Sequence, residues 1–239
     1  MSSPPTERLA VLIDADNAQS SIAVELLGEV ARYGTATVRR AYGDWTTQNL
    51  AGWKEFLHNL AIQPIQQFRF TVGKNATDSA LIIDAMDLLH SGTIDGFCLV
   101  SSDSDFTRLA TRIREAGLAV YGFGEKKTPR PFVAACDRFI YTEILRPQPE
   151  VPIDRTSEQN GLQPLLSSAV DAAAREDGWA ALSAVGGLVM KASPSFDPRN
   201  FGVKKLSDLV RNQHYLEVKS ESLGDGSPHS HIFVRLKEI

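Results

Sequence analysis

Cysteine is nearly absent: Cys98 and Cys136 are the two in 239 residues, and their spacing matches no metal-ligand pattern. That argues against a disulfide framework, and both thiols are expected reduced in or near the core of a cytosolic protein. No apolar run approaches the roughly 20 residues that a membrane helix needs. The opening MSSPPTERLA has neither the basic nor the apolar region of a secretory signal. A cytoplasmic chain without membrane association is therefore expected. Internal repeats are also lacking. Charge of one sign is scarce too: 25 Lys and Arg stand against 29 Asp and Glu, a net of −4. Residues 1–146 hold 15 basic and 17 acidic side chains, and residues 161–239 hold nine of each. If four acids of the first part meet in one pocket around a divalent cation, the rest of that part is mildly basic. The net charge therefore does not exclude a nucleic-acid partner.

What is present is ordinary globular material, 43% hydrophobic and 23% charged, enough for one domain of about 150 residues and a smaller one. From residue 9 to 145, strand and helix signals alternate. LAVLID (9–14), TATVRRAYGDW (35–45), IQPIQQFRF (62–70), GFCLVSS (96–102) and LAVYGFG (118–124) read as strands. Between them, 20–34, 49–61, 77–92 and 105–117 carry apolar residues at helical spacing. PFVAACDRFIYTEIL (131–145) predicts a short helix and a last strand. Pro64 lacks an N–H and marks its strand as an edge or a strand start. Repeated β-α-β order implies an α/β domain with a mostly parallel sheet and helices on both faces. RPQPEVPIDRTSEQNG (146–161) has three prolines and no periodicity, so a linker is expected at 147–160. Beyond it, helices over 162–176, 181–191 and 200–212 and two strands at 214–220 and 230–236 predict a small winged helix-turn-helix domain.

The acids fall at strand ends. Asp14 and Asp16 follow the first strand, Asp44 the second, and Asp103 and Asp105 the strand at 97–101, while Asp78 opens the helix leading into that strand. In a parallel sheet these ends share one edge, where open α/β sheets bind ligands. Carboxylates gathered there repel one another and are costly to bury. Hard oxygen ligands around Mg2+ or Mn2+ remove the conflict, and such ions serve phosphoryl displacement. The plainer reading is that Asp and Ser before helices are N-caps. Asn17 either orients Asp14 or a metal-bound water, or caps the helix near Ser20. Ser102 either meets a phosphate or bridges strand and helix, and Lys74 suits a phosphate contact or simple solvation. Asp84 reads as a supporting or partly buried acid. Asp87, His58 and His90 read as solvated.

LIDADNAQ resembles the first motif of NYN domains, nucleases related to the PIN fold, with Asp14 and Asn17 in the family's Asp-x-x-Asn positions. GKNATDSALIIDAMDLL resembles the family's Lys-x-x-x-Asp helix, giving Lys74 and Asp78. LVSSDSDFTRLATRIREAGLAVYGFG is similar to its Ser-x-Asp-x-Asp-Phe motif, giving Asp103 and Asp105. TPRPFVAACDRFIYTEIL resembles the closing segment of the LabA-like and limkain-type branch, and Asp44 matches an acid that some relatives carry. DGWAALSAVGGLVMK, PSFDPRNFGVKKLSDLV and the closing ribbon resemble an OST-HTH/LOTUS domain. The resemblance implies a PIN-like three-layer domain over 1–146 and a winged-helix domain over 161–239. It further implies an Mg2+- or Mn2+-dependent endoribonuclease acting on single-stranded RNA. Asp14, Asp78, Asp103 and Asp105 would be both metal ligands and catalytic groups, with Asn17, Asp44, Lys74 and Ser102 at the substrate. The second domain would bind RNA or dock a protein, with Lys204, Lys205 and Arg211 on its third helix as the expected contact surface. Two alternatives stand beside this: a catalytically inactive RNA-binding adaptor, and a phosphatase, since DADN is similar to the Asp-x-Asp of haloacid-dehalogenase enzymes.

Overall fold

The computed structural model describes residues 6–68, 76–146, 156–222 and 230–237. It divides into two compact units, Met1–Pro147 and Gln148–Ile239. In the first, β1 (Arg8–Asp14), α1 (Ala23–Val30), β2 (Thr35–Gly43), α2 (Lys54–Asn59), β3 (Gln63–Gln66), α3 (Ala76–Ser91), β4 (Gly96–Val100), α4 (Thr107–Glu115), β5 (Ala119–Gly124), α5 (Arg130–Ala135) and β6 (Arg138–Tyr141) follow one another. Short 3-10 turns lead into α1, α2 and α4.

The six strands form one sheet in the order β3-β2-β1-β4-β5-β6, every neighbouring pair parallel. Central strands covered on both faces must be apolar throughout. Accordingly β1 is buried from Leu9 to Asp14, and β4 is buried at all five positions. Alternate side chains feed two cores. Ala10, Leu12, Phe97 and Leu99 pack with Leu81, Leu109 and Phe132 of α3, α4 and α5. Leu9, Val11, Ile13, Cys98 and Val100 pack with Leu26 and Val30 of α1 and with Trp53 before α2. Each such Leu or Ile contributes about 1.5–3 kcal/mol relative to exposure. Pro64 lies in β3, an edge strand, as its missing N–H requires. Both cysteines are buried and unpaired.

Chain order reverses direction across the sheet between β1 and β4, which lie side by side, Ile13 opposite Val100. At such a switch point the loops leaving two neighbouring strands diverge and open a crevice at their C-terminal ends. Helix α3 starts at that same edge, because it follows β3.

In the second unit, α6 (Thr156–Ala173), β7 (Ala180–Ala181), α7 (Leu182–Ala192), α8 (Leu206–Arg211), β8 (Leu216–Ser222) and β9 (Ser230–Leu236) surround a core that includes Leu166, Val185, Val189, Val210 and Val234. The winged-helix-like outline agrees with expectation; three details differ. Helix α6 starts at Thr156, so the end of the expected linker is helical. The third helix is shorter, because a 3-10 turn at Pro198–Phe201 ends in Gly202 at φ +78°, and α8 opens only at Leu206. Lys204 and Lys205 thus precede the helix rather than ride on it. The ribbon gains a third strand, β7, antiparallel to β9. On the sheet side away from the core, Trp179 lies beneath Lys219 and Arg235, and Phe233 beneath Arg175 and Lys219. Among the described residues, no helix is long and apolar enough to cross a membrane.

Candidate active site

Asp14 closes β1 at the switch point and is fully buried. Its Oδ2 accepts hydrogen bonds from Asn17 Nδ2 (2.7 Å) and Ser101 Oγ (2.8 Å). Its Oδ1 is buried and finds no donor among the described residues. Burial pushes the Asp14 carboxyl above the usual range, the two hydrogen bonds work against that shift, and the charge of Asp16 adds to it. Native proteins rarely leave a buried carboxylate oxygen unpaired, and a cation is the partner that such an oxygen suits.

Asp78 stands in the first turn of α3, half-buried. Asp103 and Asp105 flank Ser104 just beyond β4. One oxygen from each of Asp78, Asp103 and Asp105 lies within 4.8 Å of the others. The Asp78 carboxyl is pushed up to about 6. Burial is the larger cause, followed by the charges of Asp14, Asp103, Asp105 and Asp16. Asp14 is outside the trio of close oxygens yet is the first of these neighbouring charges. Asp16 adds a fifth carboxylate, held by Thr77 Oγ1 at 3.0 Å. Oxygen-only donors with excess negative charge fit Mg2+ or Mn2+ and suit softer ions poorly.

The capping reading and the cluster reading coexist. Asp103 Oδ1 accepts from the Asp105 N–H at 2.9 Å, capping the 3-10 turn at Ser104–Phe106. Its own N–H donates to Ser101 Oγ at 3.1 Å. Ser101, buried at 3% exposure, therefore joins the end of β1 to the loop after β4. Ser102 is the hydroxyl expected from sequence, but Ser101 is the one that reaches Asp14. Ser102 Oγ accepts from the Glu125 N–H at 2.9 Å, so it ties β4 to β5 rather than to the following helix. The alternation within β4 held the clue: Val100 and Cys98 face one core, so the next residues continue that alternation at the strand's mouth.

Asp44 is buried in the turn after β2 and stands apart from the trio. Its Oδ1 accepts from the Thr46 N–H, Thr46 Oγ1 and Gln66 Nε2. That oxygen secures the turn to the end of β3. Lys74 lies outside the described residues. Asp84 is a partly buried acid bonded to Arg40 and to the Tyr42 hydroxyl. Asp87, His58 and His90 are exposed, as expected.

Residues 8–145 match the NYN domain family, and residues 157–228 match the OST-HTH/LOTUS domain. The chain belongs to the NYN family. Its NYN domain is thus of PIN-like nuclease kind, and its acidic group is compatible with a metal site. A protein of unknown function from Vibrio parahaemolyticus is similar in structure, with a TM-score of 0.50, 19% identity, and coverage of 58% of this chain and 94% of that one. That likeness concerns the fold. An uncharacterised protein from Nitrosomonas europaea is 28% identical over 39% of this chain and 89% of its own, at a TM-score of 0.32. A fragment from Chromobacterium violaceum is 40% identical over 34% of this chain and 86% of its own, at a TM-score of 0.27. No curated protein matches the chain.

Proposed function

We propose that the NYN domain is an endoribonuclease that hydrolyses phosphodiester bonds of single-stranded RNA with Mg2+ or Mn2+. The observation that carries this reading is the meeting of Asp78, Asp103 and Asp105 from two separate elements within 4.8 Å, beside the unpaired Oδ1 of Asp14. These four aspartates would hold one or two ions. When bound, such an ion lowers the pKa of an attacking water and offsets charge on the oxygens of an in-line displacement.

The chain's own groups set the stage. Asn17 and Ser101 donate to Asp14, fix its orientation and favour its ionised form. Thr77 holds Asp16 against the start of α3. Ser102 accepts from Glu125 and keeps its hydroxyl proton for a phosphate oxygen. Lys74 would contact the RNA backbone. Asn17 and Ala18 depart from the Gly-Thr-like continuation that the phosphatase alternative expects after its Asp-x-Asp. The OST-HTH domain would raise the effective concentration of RNA by tethering it.

The test is to incubate the purified chain with end-labelled single-stranded RNA in Mn2+ or in EDTA, beside Asp103→Asn. Cleavage in Mn2+ that both EDTA and the substitution abolish is the expected result. Cleavage that survives both defeats the mechanism. Tight binding of intact RNA in Mn2+ would instead identify a non-hydrolytic adaptor.

A further inference from the structure

The three-stranded sheet of the second unit rests one face on its core through Ala180, Leu216 and Val234. Strand alternation turns Lys219, Phe233 and Arg235 to the other face, and Trp179, just before β7, joins them there. One ammonium bridges both rings: Lys219 Nζ lies 4.5 Å from the centre of Trp179 and 5.3 Å from that of Phe233. Two guanidinium groups complete the cover, Arg235 at 4.7 Å from Trp179 and Arg175 at 5.5 Å from Phe233. Both rings are partly exposed. Acids temper the charge. Glu217 pairs with Arg235 at 2.7 Å, Glu221 pairs with Lys219 at 2.8 Å, and Asp177 accepts from the Trp179 N–H at 3.1 Å. Glu176, exposed beside Asp177, adds another.

With charges so nearly balanced, attraction for a polyanion alone does not explain this face. What it offers is two flat rings, each with cations beside it. A nucleobase stacked on a ring is held more firmly than an exposed cation resting there, and surface ion pairs hold weakly. A base can therefore take the cation's place while the cation turns to the adjoining phosphate. Single-stranded RNA presents both groups at every nucleotide, whereas a duplex hides its base faces. Helix α8 is poorly equipped by comparison: Leu209 and Val210 are buried, Asp208 is acidic, and Arg211 alone of its six residues is exposed. Lys204 and Lys205 before it bring charge without rings, and the deep groove of A-form RNA does not admit a helix. We infer that the outer sheet face is the RNA-holding surface of this unit, stacking bases of a single strand on Trp179 and Phe233, with Lys219, Arg235 and Arg175 at the flanking phosphates. This rests on the tethering role proposed above and moves the expected contact away from Lys204, Lys205 and Arg211.

The test uses the full chain in EDTA, so that cleavage plays no part in the readout and the nuclease reading stands or falls separately. The probe is a single-stranded RNA of about 12 nucleotides and mixed sequence, alone or annealed to its complement. Variants are Trp179→Leu, Trp179→Phe, Phe233→Leu and the pair Lys204→Ala with Lys205→Ala, and melting curves check that each folds. Fluorescence anisotropy should show Trp179→Leu and Phe233→Leu binding the single strand about tenfold more weakly than wild type, with Trp179→Phe and the lysine pair within about twofold of it. The duplex should bind wild type about tenfold more weakly than the single strand. Unlabelled single strand should quench the indole emission of wild type, and the quench should be missing in Trp179→Phe. If Trp179→Leu does not fold, that comparison of emission decides. Ring variants that bind as wild type does, a loss confined to the lysine pair, or equal affinity for the duplex would overturn the assigned surface and leave tethering in place. A wild type that binds no RNA would overturn both.

Discussion

Single carboxylates in this chain carry opposite obligations to folding and to function, and Asp78 shows it most directly. Its folded-state pKa, about 6, exceeds the unfolded value of about 3.9. Between those two pH values the folded state holds the proton that the unfolded chain releases. Stability without metal therefore falls as pH rises through that window. Asp78→Asn removes the penalty. In EDTA the variant should melt above wild type at pH 7.5, the gap closing toward pH 4, and millimolar Mg2+ should reverse the order at pH 7.5. Calorimetry in the two buffers checks both signs. The adjacent serines make a second comparison. Ser101→Ala removes a donor to buried Asp14 and the acceptor of the Asp103 N–H, at a cost of about 1–3 kcal/mol. Ser102→Ala removes one acceptor of the Glu125 N–H and should cost about 1 kcal/mol or less. Urea titration of the two variants should rank them in that order.

At the scale of elements, close approach between β4 and β5 holds the site's floor in place. A Cβ on Gly124 would sit 2.6 Å from the Ser101 carbonyl oxygen and 2.7 Å from Thr128 Oγ1. Gly124→Ala must therefore push β5 away from the loop bearing Asp103, at about 1–3 kcal/mol, with loss of cleavage. Gly28, within α1, has nothing within 4 Å of such a Cβ. Gly28→Ala should stabilise by about 0.5–1 kcal/mol, and thermal melts of the pair read the contrast. The same scale explains what the sequence disclosed. The buried strands were legible because LAVLID and GFCLV are apolar on both faces, and Pro64 announced an edge. Asp78, Asp103 and Asp105 were legible because strand ends and a helix start converge in any parallel sheet. Ser101 was not, since SSDSD reads equally well as a run of caps until register decides which hydroxyl turns inward. Nor was β7, whose Ala180 and Ala181 are too short a pair to show alternation. Asp44 was expected at the substrate from its place after β2; what its position could not disclose is that one of its oxygens secures the turn to Thr46 and Gln66.

For the molecule as a whole, the two units have separate cores, so one can be damaged while the other is assayed. Val234 is fully buried in the second core. Val234→Asp should unfold that unit, because an unpaired charge in a core costs several kcal/mol. If tethering is that unit's contribution, KM on long RNA should rise several-fold, while kcat on an oligonucleotide just spanning the active site stays near wild type. Equal losses on both substrates would show that the unit also supports the chemistry.

Placing Asp14 on a strand with neighbours on both sides also fixes the order in which the molecule comes apart. Fraying starts at borders, here β3 and β6, and reaches β1 and β4 late. Amide protons at 9–13 and 97–100 should therefore be among the slowest to exchange with deuterium. A molecule worn at its margins would still hold the Asp14 carboxylate where the strand leaves it.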